Sequence, residues 1–282
     1  MRLERTKNRK KNKIRFVVIV LCMGVFLYSA WHVGSNYYRA YKSQLLAEEQ
    51  ARKVQEQLEE ARRKAEEEQR LKEEQQSQQG EENTGSETGE TYEEYVLDFS
   101  DLVALNPDIM GWLVVDGTNI DYPVLYSYTD REFYLYHNYL GEYDVQGSIY
   151  IENFNDRGMS DFNTILYGHS MLNGNMFGTL HNFSNWDFFY NYGGITLYTA
   201  DKTYYYQVFE TATISDSHIF TYLHNDNAES IQNYIGTLAS YDNGFKKDGY
   251  NITPEDHIIT LSTCTTDSAQ RLVVFAVLVG VS

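Results

Sequence analysis

The sequence has only two cysteines and three prolines among 282 residues. One cysteine, Cys22, lies in an apolar run and the other, Cys264, lies far along the chain, so no internal disulfide is expected. No His-x-x-His or Cys-x-x-Cys spacing occurs, which argues against common zinc motifs, and we expect no metal or organic cofactor.

Basic residues are scarce after residue 90, where six of them occur beside 25 acidic residues. That imbalance argues against a nucleic-acid partner, which would require neutralised phosphates.

Charge is also missing between Arg15 and Arg39, where no Lys, Arg, Asp or Glu occurs. Within this stretch Phe16–Val33 is apolar and, at about 1.5 Å per residue, long enough to cross a bilayer core. We therefore predict a transmembrane signal anchor over 16–38. Eight basic residues precede it, so 1–15 is predicted to be cytoplasmic and the rest to lie outside the cell membrane. A cleaved signal peptide is the alternative, which the bulky Tyr28 two residues before Ala30 disfavours.

Residues 39–79 are rich in Glu, Gln, Arg, Lys and Ala and lack Gly and Pro, which predicts a long helix. A heptad seam runs along it, made of Ala47, Ala51, Val54, Leu58, Ala61 and Ala65. Two interpretations remain open: a coiled-coil homodimer through 39–79, or a solvated helical spacer. Residues 80–91 read GEENTGSETGET and are predicted to form a flexible acidic linker.

Residues 92–282 form the main domain, and their short apolar runs broken by Gly, Asn and Asp indicate a mostly β, α+β fold. Eight strands are predicted, a number that suits a closed barrel. They are Gly111–Val115, Ile120–Leu125, Ser148–Glu152, Thr164–Tyr167, Ile195–Thr199, Thr203–Glu210, His257–Ser262 and Leu272–Val279. Two helices are predicted beside them, at Tyr92–Leu105 and at Ala228–Tyr241.

Cys264 is the only thiol of a domain predicted to face an oxidising exterior. It ends one apolar strand, and Arg271 opens the next, so a hairpin would place thiol and guanidinium at the same end of a sheet. A fixed cation beside a thiol favours the thiolate and can hold an oxyanion. Structural readings, a buried core cysteine and a surface arginine, remain open.

An acid–base partner for that thiol is sought among seven histidines, which are His32, His137, His169, His181, His218, His224 and His257. His169 ends the apolar strand Thr164–Tyr167 after a glycine that allows a tight turn. It could therefore lie at the same end of the sheet as Cys264.

Several segments, taken in order, resemble the sortases, which are bacterial cysteine transpeptidases, and in particular their class B. They are NPDIMGWL (106–113), GTNIDYPVL (117–125), GSIYIEN (147–153), ILYGHSM (165–171), GNMFGTL (174–180) and TLSTC (260–264). The resemblance implies an eight-stranded sortase-type barrel with flanking helices, and makes 92–282 the catalytic domain.

The resemblance also implies roles for single residues. Cys264 would be the nucleophile, His169 the general acid and base, and Arg271 the donor to the substrate carbonyl. Ser262 and Leu135 match substrate-binding positions of class B enzymes; a strand-end hydroxyl and a core leucine are their structural alternatives.

The implied reaction joins surface proteins to the wall of a Gram-positive cell. Cys264 would cleave a C-terminal sorting motif after Thr, form a thioester and pass the protein to an amine of the peptidoglycan cross-bridge. Two alternatives remain: a pilin-polymerising sortase that uses a Lys amine, and a non-enzymatic surface scaffold.

Overall fold

A computed structural model describes residues 2–78, 97–217, 227–267 and 269–282. The predicted acidic linker 80–91 lies outside the described residues. The chain divides into two compact units, residues 1–46 and residues 47–282.

The first unit is helical. Helix α1 (Arg2–Gln78) carries residues of both units, and its apolar side chains from Phe16 to Val33 are exposed. Of the described helices, this one is long and apolar enough to cross a membrane. Exposed apolar side chains over such a length are favourable only in a lipid environment, which supports the predicted membrane anchor.

The second unit is built on one mixed β-sheet, with both parallel and antiparallel strand pairs. Its strands are β1 (Ile109–Val115), β2 (Asp121–Leu125), β3 (Ile149–Ile151), β4 (Asn163–Tyr167), β5 (Gly194–Thr199), β6 (Thr203–Ser215), β7 (Phe245–Lys246), β8 (Ile258–Cys264) and β9 (Gln270–Val281). The strand order is β5-β1-β2-β3-β4-β8-β9-β6-β7, and β5 also pairs with β6. That last pairing closes β1–β6, β8 and β9 into an eight-stranded barrel, which confirms the predicted fold, while the two-residue β7 is added to β6 alone.

Apolar side chains fill the barrel and also cover part of its outside. Residues such as Leu166, Leu261 and Val274 form the interior core. On the outside, helix α4 (Ala228–Ser240) packs Tyr234 and Leu238 against a second cluster that includes β8 and β9 residues. Strand β8 is thus covered on both faces, which explains why its residues from Ile258 to Thr263 are all buried.

The helices differ from the prediction in two places. Helix α2 is only Ser100–Leu105, so the predicted helix Tyr92–Leu105 is wrong for Leu97–Phe99, while residues 92–96 lie outside the described part. The reason is local: the Asp98 carboxylate accepts the Ser100 N–H at 2.9 Å, an Asx turn that directs the chain away from helical geometry before the N-cap residue Phe99. Helix α3 (Trp186–Asn191) was not predicted; its N-cap is Asn185, whose Oδ1 accepts the Phe188 N–H at 3.1 Å.

The heptad seam is partly buried within the second unit. Ala47, Val54 and Leu58 are buried, and polar side chains beside them reach the barrel domain. Gln55 Nε2 donates to Asp121 Oδ2 at 3.1 Å, and Gln57 Oε1 accepts the Asp98 N–H at 3.1 Å. The segment 47–58 therefore docks on its own domain. A homodimer through 39–79 stays a prediction.

Candidate active site

Three strands of the barrel bring the predicted catalytic residues to one end. Strand β4 runs parallel to β8 with Tyr167 opposite Ser262, so the residues that follow β4 lie level with the end of β8. Strand β9 runs antiparallel to β8, and Cys264 is the register partner of Arg271. The parallel pairing delivers His169 to this end, and the hairpin delivers Arg271.

The turn after β4 is fixed by two hydrogen bonds to β8. The Gly168 N–H donates to the Ser262 carbonyl at 3.3 Å, and Thr263 Oγ1 donates to the Gly168 carbonyl at 2.8 Å. A side chain at Gly168 would have its Cβ 2.8 Å from the Phe177 ring. Glycine is therefore required there by packing, beyond the turn expected from the sequence.

A cavity of about 140 Å³ opens at this end of the barrel. Its lining residues are Arg131, Glu132, Leu135, Tyr150, Tyr167, Gly168, His169, Asp216, Ser262, Thr263, Cys264 and Arg271. All five site residues expected from the sequence are in this set. The cavity is thus the place where thiol, imidazole and guanidinium meet.

His169 is oriented by the backbone of Leu135. Its Nε2 lies 2.8 Å from the Leu135 carbonyl oxygen, which can only accept, so Nε2 carries the proton. In the neutral ring Nδ1 then holds the lone pair that can take a proton. The Tyr136 ring lies beside the imidazole, with centroids 5.9 Å apart. Leu135 thus contributes its carbonyl to the site as well as a side chain that lines the cavity.

Arg271 is half-buried and faces an acidic residue across the cavity. Its Nη2 lies 3.9 Å from Asp216 Oδ2, and its Nη1 donates to the Gln270 carbonyl at 3.1 Å. The Asp216 contact is long compared with a charge-assisted hydrogen bond of about 2.8 Å. The guanidinium is therefore positioned without a tight ion pair to Asp216.

A buried polar cluster forms the wall beside the histidine, and the sequence analysis missed it. Glu152 is fully buried, and its Oε2 accepts from Arg131 Nη2 at 2.6 Å and Nε at 3.0 Å, and from Tyr167 OH at 3.1 Å. Burial, together with the Glu152 charge, raises the pKa of Tyr167, so its phenol keeps the proton it donates. Burial likewise raises the pKa of Tyr150. The signal available in the sequence was Arg131, one of only six cations in this domain.

Ser262 differs from its neighbours because its hydroxyl is unsatisfied. The residue is 1% exposed, and its Oγ has no hydrogen-bond partner among the residues that the structure describes. Burying a hydroxyl group without a hydrogen-bond partner lowers the stability of the folded state. Ser262 also lines the cavity, so this unsatisfied hydroxyl belongs to the cavity wall.

The chain is similar to known proteins over the barrel that carries this cavity. The sortase domain family model matches residues 113–279. Sortase B of Listeria monocytogenes is 30% identical over 259 residues, which cover 88% of each chain. The chain belongs to the class B sortases. It is accordingly a cysteine transpeptidase of the cell wall.

Solved structures agree with the assignment of this sortase. Sortase B of Clostridium perfringens superposes with a TM-score of 0.61 at 33% identity, covering 65% of this chain and 100% of that one. A substrate complex of Staphylococcus aureus sortase B superposes with a TM-score of 0.59 at 29% identity, covering 64% of this chain and 84% of that one. The residues that the family model matches, 113–279, include all those that line the cavity.

Proposed function

We propose that this sortase is a membrane-anchored enzyme that cleaves a C-terminal sorting motif of secreted proteins after Thr. The protein is held on Cys264 as a thioester and is then transferred to an amine of the peptidoglycan. The observation that carries the proposal is the convergence of Cys264, His169 and Arg271 on one cavity. A thiol, a base and a cation in one groove are the groups that acyl transfer requires.

In the first half-reaction Cys264 Sγ attacks the Thr carbonyl, and its proton passes to His169. Because Nε2–H is already bonded to the Leu135 carbonyl, Nδ1 is the nitrogen that receives this proton. The S–C bond forms, the oxyanion collapses, and the C–N bond breaks as His169 returns the proton to the leaving amine. The bond to Leu135 holds the ring in the tautomer that makes both transfers available.

In the second half-reaction the peptidoglycan amine attacks the thioester. A new C–N bond forms, the C–S bond breaks, and the proton lost by the amine returns through His169 to the Cys264 sulfur. No net proton is gained or lost, because one amide bond replaces another. The cavity walls, including Tyr150 and Tyr167, limit the access of water that would hydrolyse the thioester.

Arg271 stabilises the oxyanion of both half-reactions. As the register partner of Cys264 it lies next to the attacking sulfur, and it lines the same cavity. The loose contact with Asp216 at 3.9 Å allows a substrate oxygen to become the tighter partner. Catalysis gains from this because the interaction strengthens as negative charge develops.

Two further residues bind the substrate in this proposal. The unsatisfied Ser262 hydroxyl donates to, or accepts from, the peptide in the groove, which completes its hydrogen bonding. The Leu135 side chain supplies an apolar contact on the wall that also orients His169. Substrate binding and histidine orientation therefore share one segment of the chain.

The proposed topology places the barrel domain outside the cell. The apolar helix with eight basic residues before it supports a single-pass anchor with a cytoplasmic N-terminus. Protease added to intact cells lacking a wall would then digest the domain 97–282 and spare the anchor. Protection of the domain would reverse this orientation.

The experiment uses the full chain in detergent micelles with a library of quenched peptides that contain Pro-bearing pentapeptide motifs with Thr before the cut. The wild type is expected to cleave at least one peptide, and mass spectrometry is expected to find the acyl group on Cys264. C264A and H169A should both be inactive. H137A is the matched control, since His137 Nδ1 donates to the Phe133 carbonyl at 2.7 Å and does not line the cavity.

Adding an amine then separates transfer from hydrolysis. A peptidoglycan fragment with a free amine should accelerate turnover and give a ligated product. Preference for a Lys side chain of a second protein would instead assign pilin polymerisation. Cleavage by C264A, or a folded wild type that forms no adduct with any peptide, would contradict the proposal.

A further inference from the structure

His181 is a second histidine at the nucleophile, and it lies on a firmly held element. It belongs to the 3-10 helix Gly178–Ser184, in which Leu180 and Phe183 are fully buried in the barrel core. The preceding Phe177 is fully buried too. A further bond ties the helix to the β1–β2 turn, where the Asn119 N–H donates to Thr179 Oγ1 at 3.1 Å. The backbone of His181 is therefore immobilised on both sides.

The His181 side chain bonds to the backbone of the nucleophile. Its Nε2 lies 3.0 Å from the Cys264 carbonyl oxygen, across 83 residues of sequence. The carbonyl can only accept, so Nε2 is the donor. His181 is not among the described residues that line the cavity, whereas His169 is. The two histidines thus approach Cys264 differently: one from the substrate cavity, the other through the main chain.

The bond falls where strand pairing ends. Cys264 is the last residue of β8, and beyond it the hairpin is closed by the Thr265 N–H, which donates to the Gln270 carbonyl at 3.3 Å. Before this position, the Thr263 side chain ties β8 to the turn after β4, because its Oγ1 donates to the Gly168 carbonyl. After it, His181 holds the peptide group that follows Cys264. The chain is therefore restrained by a side-chain bond on each side of the thiol.

We propose that His181 is a positioning residue: its Nε2–H bond to the Cys264 carbonyl keeps the nucleophile's peptide group, and hence its Cα–Cβ direction, aimed between His169 and Arg271. This inference rests on the proposed role of Cys264 as nucleophile. His181 does not touch substrate or exchange a proton with it. Without this bond, the Cys264 Sγ atom is in the orientation needed for attack for a smaller fraction of the time, so kcat falls. The substrate cavity is unchanged, so KM stays the same.

The test uses the full chain in detergent with four variants. H181A removes the bond; H181Q restores it, because the Gln amide nitrogen takes the place of Nε2; H181N carries the same amide one methylene short. H257A is the matched control, since His257 Nδ1 donates to the Asp161 carbonyl at 3.0 Å immediately before the other end of β8. Two readouts are taken: peptide cleavage, and the rate at which iodoacetamide alkylates Cys264, resolved from Cys22 by peptide mass spectrometry.

For H181A and H181N we expect kcat and the Cys264 alkylation rate to fall about 3- to 10-fold, the range of one lost hydrogen bond, with KM within about 2-fold of the wild type. H181Q should recover both rates to within about 2-fold, and H257A should match the wild type.

If H181A does not fold, the comparison between H181Q and H181N tests the proposal instead. Unchanged or faster alkylation in H181N, a rise in KM in place of a fall in kcat, or H181Q as slow as H181N would overturn the proposal. If the wild type cleaves no peptide, the proposed function fails, and alkylation still decides the role of His181.

Discussion

Cys264 and Arg271 are register partners across the antiparallel strands β8 and β9. Side chains of directly opposed residues project from the same face of a sheet, so the thiol and the guanidinium share one side by construction. Only six residues connect them, and the bond between the Thr265 N–H and the Gln270 carbonyl closes that loop. The relative position of the two groups therefore depends on the barrel's own hydrogen bonds.

Replacing Arg271 should chiefly slow the chemical step. R271A is expected to lower kcat about 100- to 1000-fold, the usual cost of removing an oxyanion donor. R271K keeps the positive charge but loses the planar pair of N–H donors of the guanidinium, so its kcat should lie between those of the wild type and R271A. Cleavage kinetics with the identified peptide measure this. An R271A enzyme with wild-type kcat and raised KM would show that Arg271 binds substrate and does not stabilise the oxyanion.

Removing the Ser262 hydroxyl should weaken substrate binding and leave folding unaffected. The Oγ atom has no partner in the described part of the chain, so S262A deletes no internal bond. KM should rise about 2- to 10-fold, as for one hydrogen bond to substrate. T263A is the matched control, because Thr263 is equally buried and does donate to Gly168, so its loss should cost about 1 kcal/mol of stability. A lower melting temperature for S262A would refute the assignment.

Neutralising Glu152 should destabilise the domain. E152Q leaves the Arg131 guanidinium without its carboxylate and weakens the bond from Tyr167. Because Arg131 is one-third exposed, we expect a loss of about 2–3 kcal/mol, below the usual cost of splitting a fully buried pair. Urea unfolding monitored by tryptophan fluorescence gives the value. E132Q, at an exposed residue of the same cavity, should change stability by less than about 0.5 kcal/mol.

Stability should fall as the pH rises from about 4.5 to 7, because of Glu210. Burial raises the pKa of this carboxyl to about 7, and the nearby Lys246 ammonium at 3.2 Å only partly offsets the effect. The folded state therefore holds a proton that the unfolded chain releases near pH 4.5, so the stabilisation is complete below pH 4.5 and lost through pH 7.

The Glu210 contribution is at most about 3 kcal/mol. Urea unfolding at several pH values should show it, and E210Q should flatten the profile in this window. E255Q, at an exposed residue, serves as the control and should keep the wild-type slope. An unchanged slope in E210Q would mean that other groups set the pH dependence.

The strand pattern of the sequence predicted the barrel, and together with the resemblance to the sortases it singled out three residues of the site. Each strand is a short apolar run between turn residues, and Cys264, His169 and Arg271 each lie at the end of such a run, so pairing the strands brings them together. Strands β6 and β9 extend beyond their predicted ends because pairing with each other continues past the apolar residues.

Contacts between distant loops could not be predicted from the pattern of apolar runs and turn residues. Glu152 ends a strand like many exposed acids, and nothing in its spacing shows that Arg131 from another loop covers it. His181 was one of seven histidines, and its bond to Cys264 depends on how a 3-10 helix packs in the core. The helix expected at Leu97–Phe99 is absent because the Asx turn between Asp98 and Ser100 outweighs the helix propensity of these residues.

Strand β8 is hydrogen-bonded along both of its edges, to β4 over five residue pairs and to β9 over seven. In the proposed intermediate, the attached protein transmits any tension to Cys264, the last residue of this strand. Moving the strand would require the bonds on both edges to break together in shear, which resists force far better than peeling an edge strand one bond at a time. The proposed covalent intermediate is thus anchored on a strand that two rows of hydrogen bonds hold in place, which suits an enzyme whose substrate is tethered to a cell surface.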